Sequence, residues 1–302
     1  MVPLRPEGWG GAVAVVLFSL LIVPLEGISA QQSARIPLVL SLPGSVRFAG
    51  LAGAGTAIPG DAASIFRNPA GLATIKHIAA EIAFQRYPDG TLETMGAAAF
   101  RLLQFDLGGG YQYLRMAHGS DVRDNLMWVG TAVYRSGMLA AGVSQKYVSL
   151  EDSSGKVSRA IGTDAGVTLA VFDIMALGVS IQNIDHRRVG GAPLDLPPSV
   201  HAGFTFNFID PQSDARLQGT VETVWTRGES RRTIVGVETG IVLHGIGVVG
   251  RLGYGGQPAG SGQERTAFGA GLVFGRLGAD YAFQRRTGLG GFVHRIGARW
   301  TL

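Results

Sequence analysis

The chain has no cysteine among its 302 residues, which excludes a disulfide-stapled scaffold, a thiolate metal site and a lipidated amino-terminal cysteine together. It is also poor in charge. Asp, Glu, Lys and Arg make up 16% of it, where a soluble globule carries roughly 25%. No apolar run is long enough for a membrane-spanning helix: the best, Ala12 to Val23, falls well short of the roughly 20 residues a span requires. The histidines, at 77, 118, 186, 201, 244 and 294, lack the paired spacing of metal ligands on one face, so neither a metal nor a cofactor is expected. The net charge is +4 and comes in no block, so no nucleic-acid surface is read.

What is abundant is glycine, 46 residues, about twice the usual ~7%. Residues 1–30 read as a secretory signal peptide: Arg5, then the short apolar run, then Ser29-Ala30 before a cleavage point. Residues 31–76 do not alternate and are expected to sit elsewhere than in a sheet. From His77 onward the chain alternates polar and apolar with period two, the pattern of strands with two different faces. The runs are 77–87, 91–103, 104–116, 125–136, 137–149, 158–172, 173–184, 197–209, 214–227, 230–243, 246–254, 264–274, 276–284 and 292–302. Tight connections (Leu103-Gln104, Ser136-Gly137, Phe172-Asp173, His244-Gly245, Gly275-Arg276, with Asp210 to Ser213 somewhat longer) alternate with longer ones at 117–124, 150–157, 185–196, 255–263 and 285–291. An even number of strands with short inner turns and longer outer loops predicts a 14-stranded antiparallel transmembrane β-barrel over 77–302, in an outer membrane, with lipid outside and a polar lumen inside.

Alternation assigns side chains to faces. Asp164, Asp280, Arg295 and Arg299 point inward, since a charge facing hydrocarbon at the midplane costs roughly 2–4 kcal/mol for a basic residue. A two-residue turn at His244-Gly245 sets Glu238 directly opposite Arg251, both in the lumen. We therefore expect a lumen charge network of Asp164, Glu238, Arg251, Asp280, Arg295 and Arg299; independent solvated side chains are the plain alternative. Two further motifs lose their usual meaning in this context. Gly245-Ile246-Gly247-Val248-Val249-Gly250 matches a dinucleotide fingerprint but is followed by strand, not helix. His118-Gly119-Ser120-Asp121 holds triad residue types in adjacent loop positions, where they do not converge. No enzyme is expected.

The chain ends Arg295-Ile296-Gly297-Ala298-Arg299-Trp300-Thr301-Leu302, which resembles the carboxy-terminal signal read by the barrel-assembly machinery. Arg295, Gly297, Trp300 and Leu302 fill its fixed places, with Leu where Phe is usual. The segment before the first strand, with Asp61-Ala62-Ala63-Ser64 and Asn68-Pro69-Ala70-Gly71-Leu72, resembles the amino-terminal region of the PorV/PorQ family and, more distantly, of FadL-type hydrophobic-compound transporters. Stretches such as Val235-Gly236-Val237-Glu238 and Gly278-Ala279-Asp280-Tyr281 extend the resemblance to the final strands. It implies a short helical hatch over 31–76, plugging the periplasmic side of the barrel. Local chemistry agrees: Asp61 is a good N-cap, Asn68-Pro69 is a cap followed by proline at the first helical position, and Gly71 can end the turn.

The PorV resemblance implies a non-enzymatic role in type 9 protein secretion, with secreted proteins bearing a carboxy-terminal sorting domain and secretion-system components as partners beside the outer-membrane lipid. The outer loop 185–196, with Arg187, Arg188 and Pro193, is then the candidate partner surface. The alternatives are a FadL-like passive transporter of hydrophobic compounds and a structural barrel with loop-mediated interactions. The inward charges weigh against a wide apolar conduit and favour docking.

Overall fold

The computed structural model describes residues 35–172, 174–209, 214–255, 263–286 and 291–302; the expected signal peptide lies outside them. The described residues form fourteen strands: β1 (Ile78–Arg86), β2 (Leu92–Leu102), β3 (Phe105–Arg115), β4 (Val122–Ser136), β5 (Leu139–Asp152), β6 (Val157–Val171), β7 (Met175–Gly190), β8 (Ser199–Asn207), β9 (Ala215–Thr226), β10 (Arg232–Leu243), β11 (Ile246–Gly255), β12 (Gln263–Phe274), β13 (Leu277–Arg286) and β14 (Gly291–Thr301). Each pairs antiparallel with its sequence neighbours, and β1 pairs β14 to close a barrel. Closure leaves no edge, so backbone groups in the wall are satisfied between strands, as hydrocarbon surroundings demand. The seam is finished at the chain end, where Leu302 N–H donates to Ile78 O at 2.8 Å and Leu302 O accepts from His77 N–H at 2.9 Å.

The tight inner turns explain how register is set locally. His244 and Gly245 both have positive φ, 52° and 80°, the two-residue geometry whose twist matches that of the flanking strands. Glu238 consequently faces Arg251 across the β10–β11 hairpin. Outside the wall, Ile82, Val143, Leu252, Phe268 and Ile296 are exposed, part of an apolar belt far larger than a soluble monomer tolerates. Inside, polar and small residues alternate with them, and Asp164 is buried.

The lumen is filled by residues 38–75. They comprise a 3-10 turn at Leu38–Ser41, one short helix α1 (Val46–Gly50), and 3-10 turns at Ala62–Phe66 and Pro69–Thr74. This hatch buries Val46, Ile65, Leu72 and Ile75 against small inward residues of the wall, Ala79, Ala83, Ala97 and Ala99 among them. Each such large side chain contributes roughly 1.5–3 kcal/mol of transfer free energy. The hydrophobic core therefore lies between plug and wall, and the wall has small residues where the plug is bulky.

The outer rim departs from expectation. β4, β5 and β6 run further than their patterns suggested, shortening the outer connections to 116–121 and 153–156. β7 runs on to Gly190, so Arg187 and Arg188 lie on a strand, opposite Ile161 and Ala160 of β6, and not in a loop. The reason is a bulge: the β6–β7 register shifts between Thr163 and Ala165, Asn183 takes φ 56°, and its N–H donates to Asp164 Oδ1 at 2.8 Å. The extra residues break the period-two pattern that had marked the strand's end.

Candidate functional site

The hatch is seated through a ring of alternating charge. Arg47, on α1, donates from Nε and Nη2 to the two oxygens of Glu238 at 2.8 and 2.7 Å, and from Nη1 to Asp61 at 2.9 Å. Glu238 accepts from Arg251 Nε at 2.7 Å, and Arg251 Nη1 reaches Asp280 at 2.6 Å. Asp280 is bridged to Arg299 Nε at 2.9 Å, and Arg299 Nη1 stands 3.7 Å from Asp61, completing the circuit. The wall thus contributes Glu238, Arg251, Asp280 and Arg299 from β10, β11, β13 and β14; the hatch contributes Arg47 and Asp61. Gly271 makes the link across β12 possible, because a Cβ there would lie 2.6 Å from Asp280 Oδ1 and 3.3 Å from Arg251 Nη1. Three guanidiniums face three carboxylates within the ring, the pairing under which buried ions are tolerable, and the more exposed Arg216 stands 3.7 Å from Glu238 at its edge.

Two further anchors are polar and local. Glu222, on β9, accepts from the backbone N–H groups of Gly55 and Thr56 at 2.7 and 2.9 Å, and His201 sits at 3.0 Å behind it. Asn68 caps the last turn by accepting from Ala70 N–H at 3.0 Å, while its Nδ2 donates to Thr56 O at 2.9 Å and to Thr168 Oγ1 of β6 at 3.0 Å. Wall glycines supply the clearance. A Cβ at Gly166 would strike Asn68, one at Gly178 the Thr56 carbonyl, and one at Gly253 the backbone of Leu51 and Ala52. Gly178 and Gly253 thus face a second backbone, and Gly166 faces the side chain of Asn68.

The structure brings together four of the six residues expected in a lumen network. Asp164 lies apart, paired with Lys146 at 2.9 Å, and Arg295 pairs with Glu93; each is a separate pair and not part of the ring. Asp61 precedes the Ala62–Phe66 turn with extended backbone but makes no cap hydrogen bond, since its carboxylate is taken by arginines. Gly71 does not end its turn, which continues to Thr74; it packs against Ser64, which a Cβ would approach at 2.6 Å. Asn68, Pro69 and Ala70 sit as a cap, first helical residue and acceptor-bound amide. Within the carboxy-terminal octet Arg295 and Gly297 face inward, Gly297 clearing Val46 of α1, while Trp300 faces out. Arg47, Glu222 and Lys146 were not singled out from sequence. Arg47 could have been, as a lone charge in an apolar, glycine-rich segment with nowhere to go except a buried partner.

Two cavities lie at the inner rim on either side of the last hatch turn. One, about 250 Å³, is lined by Ile58, Pro59, Thr74, Met175, Arg216 and Gln218 among others; the second, about 300 Å³, by Ala73, Thr74, Arg101, Arg135, Leu139 and Phe172 among others. Arg101 Nη2 donates to Ala73 O at 3.0 Å, fastening the turn between them.

No protein-family model matches the chain, and no curated protein matches it in sequence. Solved structures do. The toluene transporter TbuX of Ralstonia pickettii is similar with a TM-score of 0.58 and 14% identity, over 85% of this chain and 98% of that one. The toluene transporter TodX of Pseudomonas putida gives 0.57 and 12%, over 88% and 98%, and a FadL homologue of Pseudomonas aeruginosa gives 0.55 and 13%, over 85% and 98%. The fold is shared. At this identity the likeness establishes architecture alone, a closed antiparallel β-barrel.

The ring carries a pH dependence through its hatch members. Burial alone would raise the Asp61 carboxyl, but Arg47 and then Arg299 outweigh it and hold Asp61 below its ordinary value. A depressed native value means that Asp61 strengthens the seat fully above the ordinary Asp range, about pH 4, and that this contribution is lost as pH falls through the native value. Pepsin cleavage within the hatch should therefore rise on acidification below about pH 4, and Asp61→Asn should remove its share of that dependence. An identical acid profile in the variant would assign the effect to the wall carboxylates alone.

Proposed function

We propose that the protein is a non-enzymatic outer-membrane channel for small hydrophobic compounds, held shut in this state by its own hatch. The observation that carries the reading is the ring: the lumen charges that would disfavour an apolar conduit are engaged with one another and with the plug. They seat a removable part and do not line a path. The hatch is joined to the wall by hydrogen bonds and ion pairs and by close packing over glycines, contacts that can be released without unpairing any strand. The similarity to structures described as toluene transporters supports the same direction.

The segment expected to be a free outer loop is in its first half strand, with Arg187 and Arg188 still exposed, and in its second half turned inward at Leu194 and Leu196; docking of secreted proteins is the alternative that the test below decides. We assign the carboxy-terminal residues Arg295, Gly297, Trp300 and Leu302 to recognition by the barrel-assembly machinery and to closure of the seam. The test is uptake of radiolabelled toluene by cells expressing the full chain in a host without a hydrocarbon channel. Expression should speed uptake at low toluene concentration. Uptake equal to that of empty cells, with co-purification of secreted proteins sharing a carboxy-terminal domain, would return the docking role.

A further inference from the structure

Two arginines of the inner rim are turned into the same cavity by one buried acid. Asp106, on the inner face of β3, is fully buried; it accepts from Arg101 Nε of β2 at 3.0 Å and stands 2.7 Å from Arg135 Nε of β4. Arg101 Nη2 donates to Ala73 O of the hatch and Arg135 Nη2 to Leu103 O, both at 3.0 Å. Nη1 of neither arginine has an acceptor among the described residues. Both guanidiniums line the cavity of about 300 Å³, and their side chains are 25% and 24% exposed, within reach of a ligand from outside.

Two guanidiniums on one carboxylate leave an excess of one positive charge, and no acidic side chain lines the cavity among the described residues. Thr168 lines it too; its Oγ1 accepts from Asn68 Nδ2 at 3.0 Å, and its own O–H has no acceptor among the described residues. Planar N–H donors from two directions match the oxygens of a phosphate, with which guanidiniums form short, charge-assisted bonds. An uncharged hydrocarbon would leave these donors unpaired. The rim around the cavity is apolar. Leu103, Met138 and Phe172 stand at the tips of the β2–β3, β4–β5 and β6–β7 turns, with Leu103 and Phe172 85% and 79% exposed. These two take φ of 58° and 48°, where a turn by itself favours glycine or asparagine. Turn geometry does not account for bulky apolar side chains there, and contact with lipid does. Gly137, which lines the cavity, leaves a gap in the rim, since a Cβ there meets open space.

We propose that this cavity binds the phosphate of a phospholipid from the periplasmic leaflet, with its non-bridging oxygens on Arg101 and Arg135 and its apolar part against Leu103, Met138 and Phe172. The headgroup enters over Gly137. Arg101 then holds the phosphate and Ala73 O at once, so the bound lipid helps to fix the inner end of the hatch. A free phosphate ester shares the headgroup's chemistry but not the apolar contacts.

Native mass spectrometry of the full-length protein in maltoside micelles counts bound lipid as phosphatidylglycerol, or a galactosyl diacylglycerol as its phosphate-free counterpart, is titrated in. Phosphatidylglycerol should be retained in preference to the glycolipid. Arg135→Gln should weaken that retention about tenfold, through loss of a charged hydrogen-bonding partner, and Arg276→Gln, at the exposed β12–β13 turn, should leave it unchanged. Arg101→Gln provides a second variant should the first assemble poorly, with heat-modifiable mobility reporting the barrel. Calorimetry with inorganic phosphate separates the two sources. Phosphate binding that is lost in Arg135→Gln, without preference between the two lipids, keeps the site and assigns it to a free phosphate ester in place of the lipid. Equal retention of the two lipids with no phosphate binding overturns the site, as does equal weakening by Arg135→Gln and Arg276→Gln.

Discussion

Replacing Arg47 with alanine is expected to unseat the hatch while leaving the barrel assembled. The substitution removes three hydrogen-bonded contacts to Glu238 and Asp61 and a fourth to Gln218, leaving Glu238 to Arg251 and Asp61 to the more distant Arg299. Breaking one side of a buried ion pair costs about 3–5 kcal/mol, and the segment that bears the cost is not itself part of the sheet. Trypsin should then cut after Arg67, and planar bilayers containing the variant should show steady conductance of small ions, which the native protein should lack. Heat-modifiable electrophoretic mobility reports the barrel independently. A variant that loses the barrel together with the hatch would show the two to be one folding unit, and the plug would not be removable.

The second large effect is expected from Gly178→Val. A side chain at this inward position of β7 meets the Thr56 carbonyl, with Thr56 C at 2.8 Å and Ala57 Cα at 3.0 Å. Backbone cannot swing aside as a flexible side chain does, and Thr56 N–H is bound to Glu222. Overpacking costs about 1–3 kcal/mol, and lifting the hatch segment away leaves Glu222 short of its donors, about 1–3 kcal/mol more. Tryptic cleavage after Arg47 and Arg67 should appear. Gly130→Val, where a Cβ meets open space, should leave the hatch protected. Equal protection in both variants would mean that Thr56 does not rest on β7.

The chain's wall was legible because strands are written locally. Period-two alternation and two-residue turns fix which side chains share a face, so the fourteen strands, the inward assignment of Asp280, Arg295 and Arg299, and the Glu238–Arg251 opposition across His244-Gly245 follow from neighbouring residues alone. The asparagine cap before Pro69 was legible for the same reason. Alternation failed where an extra residue entered the strand: the bulge at Asn183 disguised the second half of β7 as loop.

What only the tertiary structure decided is how the inward groups are shared out. Asp61 reads as a helix cap from its neighbours, yet its carboxylate is claimed by Arg47 and Arg299. Arg47 finds Glu238 at a separation of 191 residues, and no periodicity connects positions so far apart. Six inward charges look like one network in sequence, because alternation gives the face of a residue but not its place around the barrel. Curvature of the closed wall puts Glu238, Arg251, Asp280 and Arg299 side by side and leaves Asp164 with Lys146 elsewhere. Likewise Gly178 and Gly253 could be counted but not interpreted until a second backbone was laid against them. Strand, face and register come from interactions among near neighbours; the plug and its seat come from surfaces that exist only once the barrel has closed.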